Sequence, residues 1–246
     1  MGHTLSSNMN KIRLFVDHSL REAQSVPLNK DQAHYIFSVM RKRVGDSILV
    51  FDGINGEWIA SIEEISKKKG VLFCIKQTNP QMLPPDLWLY FSPLKKVRTD
   101  FIVEKATELG VGKIIPVRTE YTNSVRISTD RLRAHAREAA EQCGGTYVPK
   151  IVELQKLNDV LNNFPADRKI LFCDEELKQS EVKLKNLEKG KWAILVGPEG
   201  GFSEIERNHL RGLKFTYSIS LGPRILRADT AVVTAISLWQ NYLGDW

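Results

Sequence analysis

The chain has 246 residues, of which 42% are hydrophobic and 26% are charged, and its formal net charge is +6. This length suits one large or two modest domains, and the composition is that of an ordinary globular protein. No apolar run is long enough to span a bilayer, so a transmembrane helix is not expected. Residues 1–10 lack the pattern of a secretory signal and are expected to form a disordered lead-in.

The charge and the cysteines set two further expectations. A mildly basic chain is compatible with a polyanionic partner, although solubility alone could explain the excess. Three cysteines, Cys74, Cys143 and Cys173, are far apart and form no C-x-x-C pair, so neither a zinc site nor a redox pair is expected. We expect buried free thiols in a reducing cytoplasm, and no bound metal.

The first third of the chain, residues 10–80, is predicted to form a small β-barrel. Strand patterns occur at 11–16, 47–51, 57–62 and 71–75. The segment 52–56 between two of these strands reads Asp-Gly-Ile-Asn-Gly, which is strong hairpin chemistry. Apolar residues at helical spacing predict one helix over 29–40.

A proline-rich segment at 79–85 is predicted to separate two domains, 10–80 and 81–246, because proline lacks an N–H and restricts the residue before it. After it, strand patterns occur at 86–91, 113–117, 169–173, 192–196 and 215–220, and helix patterns at 97–109, 130–143, 157–164 and 229–243. Ser203 and Glu206 form a capping box that opens a further helix. This alternation is typical of an α/β fold with a parallel sheet covered by helices on both faces.

Two glycine-rich turns, at 195–203 and 221–231, follow two of the buried strands. Glycine lets a ligand approach the backbone, and turns at the carboxyl ends of parallel strands are where small ligands bind. One helix and one strand separate the turns, which predicts a single pocket built from both. Neither turn has the spacing of a dinucleotide fingerprint or a phosphate loop. Because Glu199 would repel phosphate, a nucleoside or a cationic sulfonium cofactor fits better.

Charged residues near these turns allow more than one interpretation. Asp229 is a natural N-cap for the last helix. Arg227 could pair with Asp229, or its guanidinium could reach a phosphate or a base edge. Glu138 lies on a helix rich in arginine, where a charged face is usually solvated but could also present a polar site. The acidic pairs Glu63–Glu64 and Glu175–Glu176 are expected to face water.

Four motifs and the amino-terminal segments resemble those of the RsmE family of ribosomal RNA methyltransferases. The motifs are LVGPEGGFS at 195–203, SLGPRILR at 220–227, EKATELG at 104–110 and EAAEQ at 138–142. The stretches 13–16 and 39–46 resemble the PUA-like barrel of that family. The similarity covers nearly the whole chain past residue 10. One departure is Asp229, where family members commonly have a glutamate.

The resemblance implies a fold, an activity and partners. It implies a SPOUT methyltransferase domain over 81–246, with a parallel sheet, helices on both faces and a carboxyl-terminal trefoil knot, after a PUA-like RNA-binding barrel over 10–80. The family methylates N3 of a uridine in 16S ribosomal RNA, using S-adenosylmethionine. A cytoplasmic homodimer acting on 16S rRNA or the small ribosomal subunit is therefore expected, with no membrane and no metal.

The resemblance also implies roles for individual residues. The cofactor would lie against Leu195, Gly197, Pro198, Glu199, Gly200, Leu221, Gly222, Leu226 and Arg227. Arg227 would stabilise the uridinate, and Glu138, acting within one chain or from a partner, would accept the proton. RNA contacts would come from Arg13, Arg41, Lys42, Arg43, Lys95 and Arg224.

Two rival functions remain at this point. Another SPOUT enzyme could act on a ribose 2′-OH or on tRNA, although the motif at 221–227 argues against it. A non-catalytic RNA-binding protein is the second rival, and the intact glycines of both turns make it less compatible with the sequence.

Overall fold

The computed structural model describes residues 12–66, 69–123, 126–180 and 182–246. The predicted lead-in at 1–10 and the first residue of the strand predicted at 11–16 lie outside these ranges. The chain forms two compact units. One contains the described residues up to Leu83 together with Ala140–Tyr147, and the other contains Pro84–Ala139 and Val148–Trp246. A single cut in the sequence does not describe this division, because residues 140–147 belong to the first unit.

The first unit is built on a five-stranded sheet. Its strands are β1 (Arg13–Phe15), β2 (Ser25–Leu28), β3 (Ser47–Phe51), β4 (Glu57–Ile65) and β5 (Gly70–Asn79). The strand order is β1-β3-β4-β5-β2, with β1 parallel to β3 and the other pairs antiparallel. Strand β2 was not predicted, because this edge strand contains Pro27, and proline is tolerated at an edge but weakens a strand pattern.

Of the local features predicted for the first unit, the structure has the hairpin and a helix that is only partly α-helical. The hairpin predicted at 52–56 is confirmed, since β3 and β4 pair antiparallel across it. The carboxylate of Asp52 accepts hydrogen bonds from the backbone N–H groups of Ile54 and Asn55 and so closes the turn. The helix predicted over 29–40 is α-helical in α1 (Lys30–Ala33) and continues as a π-helix over His34–Val39. Closure of the sheet into a barrel stays a prediction.

The second unit is an α/β fold. Its strands are β6 (Leu87–Phe91), β7 (Lys113–Arg118), β8 (Lys150–Ile151), β9 (Gln155–Lys156), β10 (Lys169–Cys173), β11 (Trp192–Val196) and β12 (Thr216–Ile219). Its helices are α2 (Lys96–Glu108), α3 (Thr129–Cys143, whose last residues belong to the first unit), α4 (Leu157–Asn162), α5 (Glu204–Gly212) and α6 (Ala228–Leu243). A short 3-10 helix spans Leu184–Asn186.

All pairs in the sheet of the second unit are parallel, which confirms the predicted sheet type. The order is β12-β10-β11-β6-β7-β8, and β9 also pairs with β7. One apolar cluster packs α2 and α6 against one face, with Trp239 fully buried, and a second packs α4 and α5 against the other, with Leu210 fully buried. No helix within the described ranges is both long and apolar enough to cross a membrane. The predicted knot stays a prediction.

Candidate functional site

A cavity of about 660 Å³ lies at the carboxyl ends of three adjacent strands in the second unit. Because β10, β11 and β12 are parallel neighbours, the residues that follow Cys173, Val196 and Ile219 meet at one edge of the sheet. Both glycine turns line the cavity, as their sequence predicted. Its volume is in the range of small-molecule sites, which is roughly 300–1,000 Å³.

Most of the residues predicted to bind the cofactor line this cavity. They are Gly197, Pro198, Glu199, Leu221, Gly222, Leu226 and Arg227. Two others are placed differently. Leu195 is buried within β11, and Gly200 is packed so that a Cβ on it would lie 3.2 Å from Cβ of Tyr121. Contacts of these two residues with a cofactor stay predictions.

Packing explains two glycines of the first turn. A Cβ on Gly197 would lie 2.6 Å from the ring of Phe202, which itself packs edge-on against Phe172 with ring centroids 5.1 Å apart. Gly201 has a φ of +71°, and a Cβ there would collide with the carboxylate of Glu175. These glycines are therefore required by the packing and backbone of the turn itself.

Next to the first turn, three carboxylates and two arginines form a cluster that was not predicted from the sequence. Arg207 of α5 pairs with Glu175 at 2.7 Å, with Glu176 at 3.1 Å and with the fully buried Asp174 at 3.6 Å. Arg211, one helical turn later, lies 2.6 Å from Asp174. The available signal was three consecutive acidic residues after a buried strand and two arginines four residues apart on the next amphipathic helix.

Glu175 is exposed, as expected, but its carboxylate also binds other parts of the chain. Its Oε1 accepts hydrogen bonds from the backbone N–H of Phe202 at 3.1 Å and from Nη2 of Arg207 at 2.7 Å. The same arginine nitrogen donates to the carbonyl oxygen of Phe202. The capping box of Ser203 and Glu206 is confirmed immediately after. Together these bonds fix the end of the first turn and the start of α5.

Arg98, near the start of α2, connects the two glycine turns. Its guanidinium pairs with Glu199 of the first turn and, at 3.6 Å, with Asp229 of the second. The expectation that Asp229 caps the last helix is wrong, since the N-cap of α6 is Arg227 and Asp229 lies in the first helical turn. Because Arg98 neutralises the negative charge of Glu199, this glutamate does not by itself exclude a phosphate group from the cavity.

The second turn lines the cavity but keeps much of its own surface exposed. Gly222 has a φ of +115°, which favours glycine, and Arg224 and Arg227 are exposed. The hydroxyl oxygen of Ser180 accepts a hydrogen bond from the backbone N–H of Ser220 at 2.9 Å, which ties the segment after β10 to the end of β12. Within the described residues, no group of histidines, cysteines and carboxylates is arranged to bind a metal ion.

Cys173 at the cavity wall is held as a neutral thiol. Burial, reinforced by the negative charges of Glu175 and Asp174, raises the pKa of Cys173 to about 12. A thiol with such a pKa is a poor nucleophile at neutral pH. The cavity therefore offers a binding surface without a covalent catalyst at this position.

Glu138, the predicted proton acceptor, is not among the described residues that line the cavity. It lies on α3 with a side chain that is 70% exposed, and its Oε2 is 3.9 Å from Nδ1 of His135. His135 lies closer to Glu104, at 3.2 Å. The structure of one chain therefore does not bring Glu138 and Arg227 into the same cavity.

The predicted RNA contacts divide into exposed and internal side chains. Arg13 is internal: its guanidinium donates to the carboxylate of Glu57 at 2.6 Å and to the carbonyl oxygens of Ala140, Glu141 and Gly145. Only 12% of its side chain is exposed. This guanidinium binds the carboxyl-terminal end of α3 within the first unit, and a contact of Arg13 with RNA stays a prediction.

The other predicted RNA contacts remain accessible. Arg41 and Arg43 are exposed and Lys42 is half-buried, in the turn that follows the π-helix of the first unit. Lys95 and Arg224 of the second unit are also exposed. Their contacts with RNA stay predictions.

Comparison with known proteins assigns the chain to a family. A family model described as an RNA methyltransferase domain matches residues 81–240, and one described as an RNA methyltransferase PUA domain matches residues 28–73. The ribosomal RNA small subunit methyltransferase E of Rickettsia conorii is 32% identical, over 92% of this chain and 93% of that protein. The protein of the same name from Bacillus subtilis is 28% identical, over 92% and 94%.

Solved structures agree with this assignment. The enzyme of that name from Neisseria gonorrhoeae, crystallised with S-adenosylmethionine, is 26% identical with a TM-score of 0.86, covering 96% of this chain and 100% of its own. A putative methyltransferase of Legionella pneumophila in complex with the same cofactor is 27% identical with a TM-score of 0.87, covering 97% and 100%. The chain belongs to the ribosomal RNA small subunit methyltransferase E family, RsmE.

Proposed function

We propose that this protein transfers the methyl group of S-adenosylmethionine to N3 of a uridine in the RNA of the small ribosomal subunit. The observation that carries the proposal is the cavity between the two glycine turns, in a chain that belongs to this family. The Neisseria gonorrhoeae relative was crystallised with the same cofactor, which supports that choice of methyl donor.

The side chains and backbone groups that line the cavity suit this cofactor. Apolar side chains of Val196, Ile219, Leu221 and Leu226 can cover the adenine, and the backbone groups of the turns can bond its edge. The cavity volume of about 660 Å³ accommodates a molecule of this size. When bound, S-adenosylmethionine supplies an electrophilic methyl group on a positively charged sulfur.

Arg227 is proposed to stabilise the reacting base. N3 of uracil is an imide N–H between two carbonyl groups, so it must lose a proton, and its edge must be unpaired, before it can accept a methyl group. Arg227 lies at the cavity wall with an exposed guanidinium, where it can neutralise the negative charge that develops on the uracil oxygens. The remaining contribution is the alignment of the two reactants.

Glu138 is proposed to accept the N3 proton from a second copy of the chain. Glu138 is not among the described residues that line the cavity of its own chain, and a general base must come within hydrogen-bond reach of the proton, which favours a Glu138 from a second chain. The proposal therefore includes a homodimer in which the partner subunit's Glu138 faces the cavity that contains Arg227. The carboxyl-terminal knot belongs to the same proposal, since it would bring the two glycine turns together.

Five cations are proposed to contact the RNA backbone. These are the exposed Arg41 and Arg43 and the half-buried Lys42 of the first unit, and the exposed Lys95 and Arg224 of the second. Such contacts position the RNA without reading its sequence, and they make binding weaken steeply with salt. We further propose that the protein acts in the cytoplasm.

Mass spectrometry of nucleosides tests this function. Small-subunit RNA from cells that lack the protein is incubated with purified protein and S-adenosylmethionine, and 3-methyluridine is expected. The matched control is Gly197→Val, which crowds Phe202 and should abolish the product. A 2′-O-methylated nucleoside, or methylation of tRNA alone, would replace the proposal with the corresponding SPOUT activity. A lack of both product and cofactor binding would favour a non-catalytic RNA-binding protein.

A further inference from the structure

A group of cations lines the amino-terminal edge of the parallel sheet, opposite the edge that carries the cavity. Its members begin or directly precede strands of the second unit: Lys113, Lys150, Arg168, Lys169 and Lys191. Because the strands are parallel, their first residues lie at one common edge. A five-residue strand places this edge roughly 17 Å from the cavity.

Carboxylates neutralise three members of this group. The pairs are Arg168 with Asp86 at 2.7 Å, Lys169 with Glu188 at 3.4 Å and Lys191 with Asp167 at 2.6 Å. Within the part of the chain that the structure describes, no ion pair includes Lys113 or Lys150. These two lysines therefore carry the uncompensated charge of the edge.

Strand register brings the two lysines together beside an indole ring. Lys113 lies directly opposite Lys150 in the pairing of β7 with β8 and directly opposite Trp88 in the pairing of β6 with β7. Partners in register project from the same face of a sheet. Nζ of Lys113 is 4.1 Å from the centroid of the Trp88 ring, and Cζ of Arg168 is 3.7 Å from it. Contact with the indole thus gathers cations at one place.

We propose that Lys113 and Lys150, beside Arg168 and Trp88, bind a phosphate group of the RNA backbone. Like charges on directly opposite residues destabilise a sheet, and a phosphate bound to both ammonium groups would remove that repulsion. The inference rests on the proposed function for the identity of the polyanion. It adds an RNA contact on the second unit that is remote from the reacting base.

The titration of Lys113 agrees with this geometry. Burial, together with the positive charges of Lys150 and Arg168, lowers the pKa of Lys113. A bound phosphate favours the charged ammonium form and would raise that pKa again. A partner with a regular series of phosphates fits such a site, since two point charges recognise an anion without reading a base.

The test compares two double variants that change the net charge equally at the same edge. In K113Q/K150Q the unpaired lysines are removed, and in the control K169Q/K191Q the carboxylate-paired lysines are removed. Binding to small-subunit RNA is measured by fluorescence anisotropy over a salt series. K113Q/K150Q should bind the RNA about tenfold more weakly at low salt. The slope of log Kd against log salt should be smaller by about 0.7 for each phosphate that is no longer neutralised. The control should keep the wild-type slope.

Two further readouts separate this inference from the proposed function. Calorimetry measures the affinity of the cavity for S-adenosylmethionine, and this affinity should be the same in both double variants. NMR of 13C-methylated lysines should show the pKa of Lys113 rising when inorganic phosphate is added. An equal loss of RNA affinity in both double variants, or wild-type affinity in K113Q/K150Q, would overturn the phosphate site and leave the proposed function standing. If the wild-type protein methylates no RNA, the RNA affinities still decide the site.

Discussion

The carboxylate of Glu175 and the guanidinium of Arg207 lie 2.7 Å apart and join the segment after β10 to helix α5. The oxygen of Glu175 that accepts from Arg207 also accepts a hydrogen bond from the backbone N–H of Phe202. One carboxylate therefore determines both the position of α5 and the end of the first glycine turn. The shape of the cavity depends on this pair although Arg207 is not among the described residues that line it.

Substitution of Glu175 tests this dependence. Glu175→Gln keeps the size of the side chain but removes the charge that faces Arg207, whose side chain is 8% exposed. The side chain of Glu175 is 33% exposed and the amide oxygen of glutamine can still accept, so we expect the free energy of unfolding to fall by about 1–2 kcal/mol as the bond loses its charged acceptor. Urea denaturation measures this loss, and calorimetry should show weaker binding of S-adenosylmethionine.

The control is Glu176→Gln, since Glu176 also pairs with Arg207 but its side chain is 59% exposed. An exposed pair contributes at most about 1 kcal/mol, so this variant should remain close to the wild-type protein. Equal stabilities of the two variants would contradict the role given to Glu175.

Features of this site that depend on residues close together in the sequence could be predicted from the sequence. The parallel sheet, the hairpin at 52–56 and the capping box of Ser203 come from patterns within a few residues, and all three are confirmed. The two glycine turns were placed at one pocket because strand ends of a parallel sheet share an edge. Such features follow from local propensity and from the general geometry of the fold.

Interactions between distant residues were not accessible in this way. Arg98 pairs with a glutamate 101 positions later, and Arg13 donates to carbonyl groups more than 120 positions later. A charged residue in sequence is equally compatible with a solvated side chain, an internal pair or a ligand contact, so the internal bonds of Arg13 could not be predicted. The packing of the folded chain selects among these possibilities.

Removal of Arg98 should weaken the connection between the two glycine turns. Its side chain is 28% exposed, so the loss of its pairs with Glu199 and Asp229 is screened by solvent and amounts to about 1 kcal/mol or less. For Arg98→Gln we expect the Kd of S-adenosylmethionine to rise by up to about fivefold, measured by calorimetry.

Lys105→Gln is the matched control, because it breaks an ion pair with Glu108 on the same helix. Both residues of that pair belong to α2, so cofactor affinity should be unchanged. The interpretation of Arg98 would be refuted by an unchanged Kd in Arg98→Gln.

Alanine at Gly201 should be poorly tolerated for two reasons that can be separated. The φ of +71° strains any residue with a side chain, and a Cβ would meet the carboxylate of Glu175. We expect Gly201→Ala to lower the free energy of unfolding by about 1–3 kcal/mol. Gly222→Ala also has a positive φ but no atom within 4 Å of the new Cβ, so it should show the backbone strain alone.

A third glycine, Gly212, provides a control in which an added methyl group meets neither strain nor a neighbouring atom. Gly212 ends α5 and has free space where a methyl group would be added, so Gly212→Ala should be neutral or slightly stabilising. Thermal unfolding of the three variants checks the order. If Gly201→Ala were as stable as Gly222→Ala, contact with Glu175 would not restrict the turn.

The cysteines should differ in reactivity, contrary to the expectation that all three are buried. Cys143 is exposed, whereas burial raises the pKa of Cys74 to about 11 and that of Cys173 to about 12. The thiolate is the reactive form, so iodoacetamide at pH 8 should modify Cys143 in the native protein and spare the other two. Peptide mass spectrometry identifies the modified residues, and modification of all three in urea is the control. Rapid native modification of Cys173 would show that the cavity wall is open.

The direction of the pH dependence follows from the same pKa values. Below about pH 8 the thiols are mostly protonated in both the folded and the unfolded chain, so they hardly affect stability. As the pH rises above that value, the unfolded chain loses these protons first, which favours unfolding. Cys173→Ala should therefore flatten the loss of stability between about pH 9 and 12. A slope equal to that of the wild-type protein would contradict the raised pKa.

Mixed dimers test whether Glu138 and Arg227 act from different subunits. Arg227→Ala should lower turnover about 100-fold while changing cofactor affinity little, and Glu138→Gln should lower turnover to a similar extent.

In a twofold dimer that combines the two variants, one cavity would lack both residues and the other would have both. Coexpression of the two variant chains should therefore restore about a quarter of the wild-type activity, because half of the dimers are mixed and each has one intact cavity. Residues that act within one chain would give no such recovery, since every cavity would then lack one of them. Arg43→Ala in place of Arg227→Ala is the control, because Arg43 is exposed, does not line the cavity, and has a proposed role confined to RNA affinity.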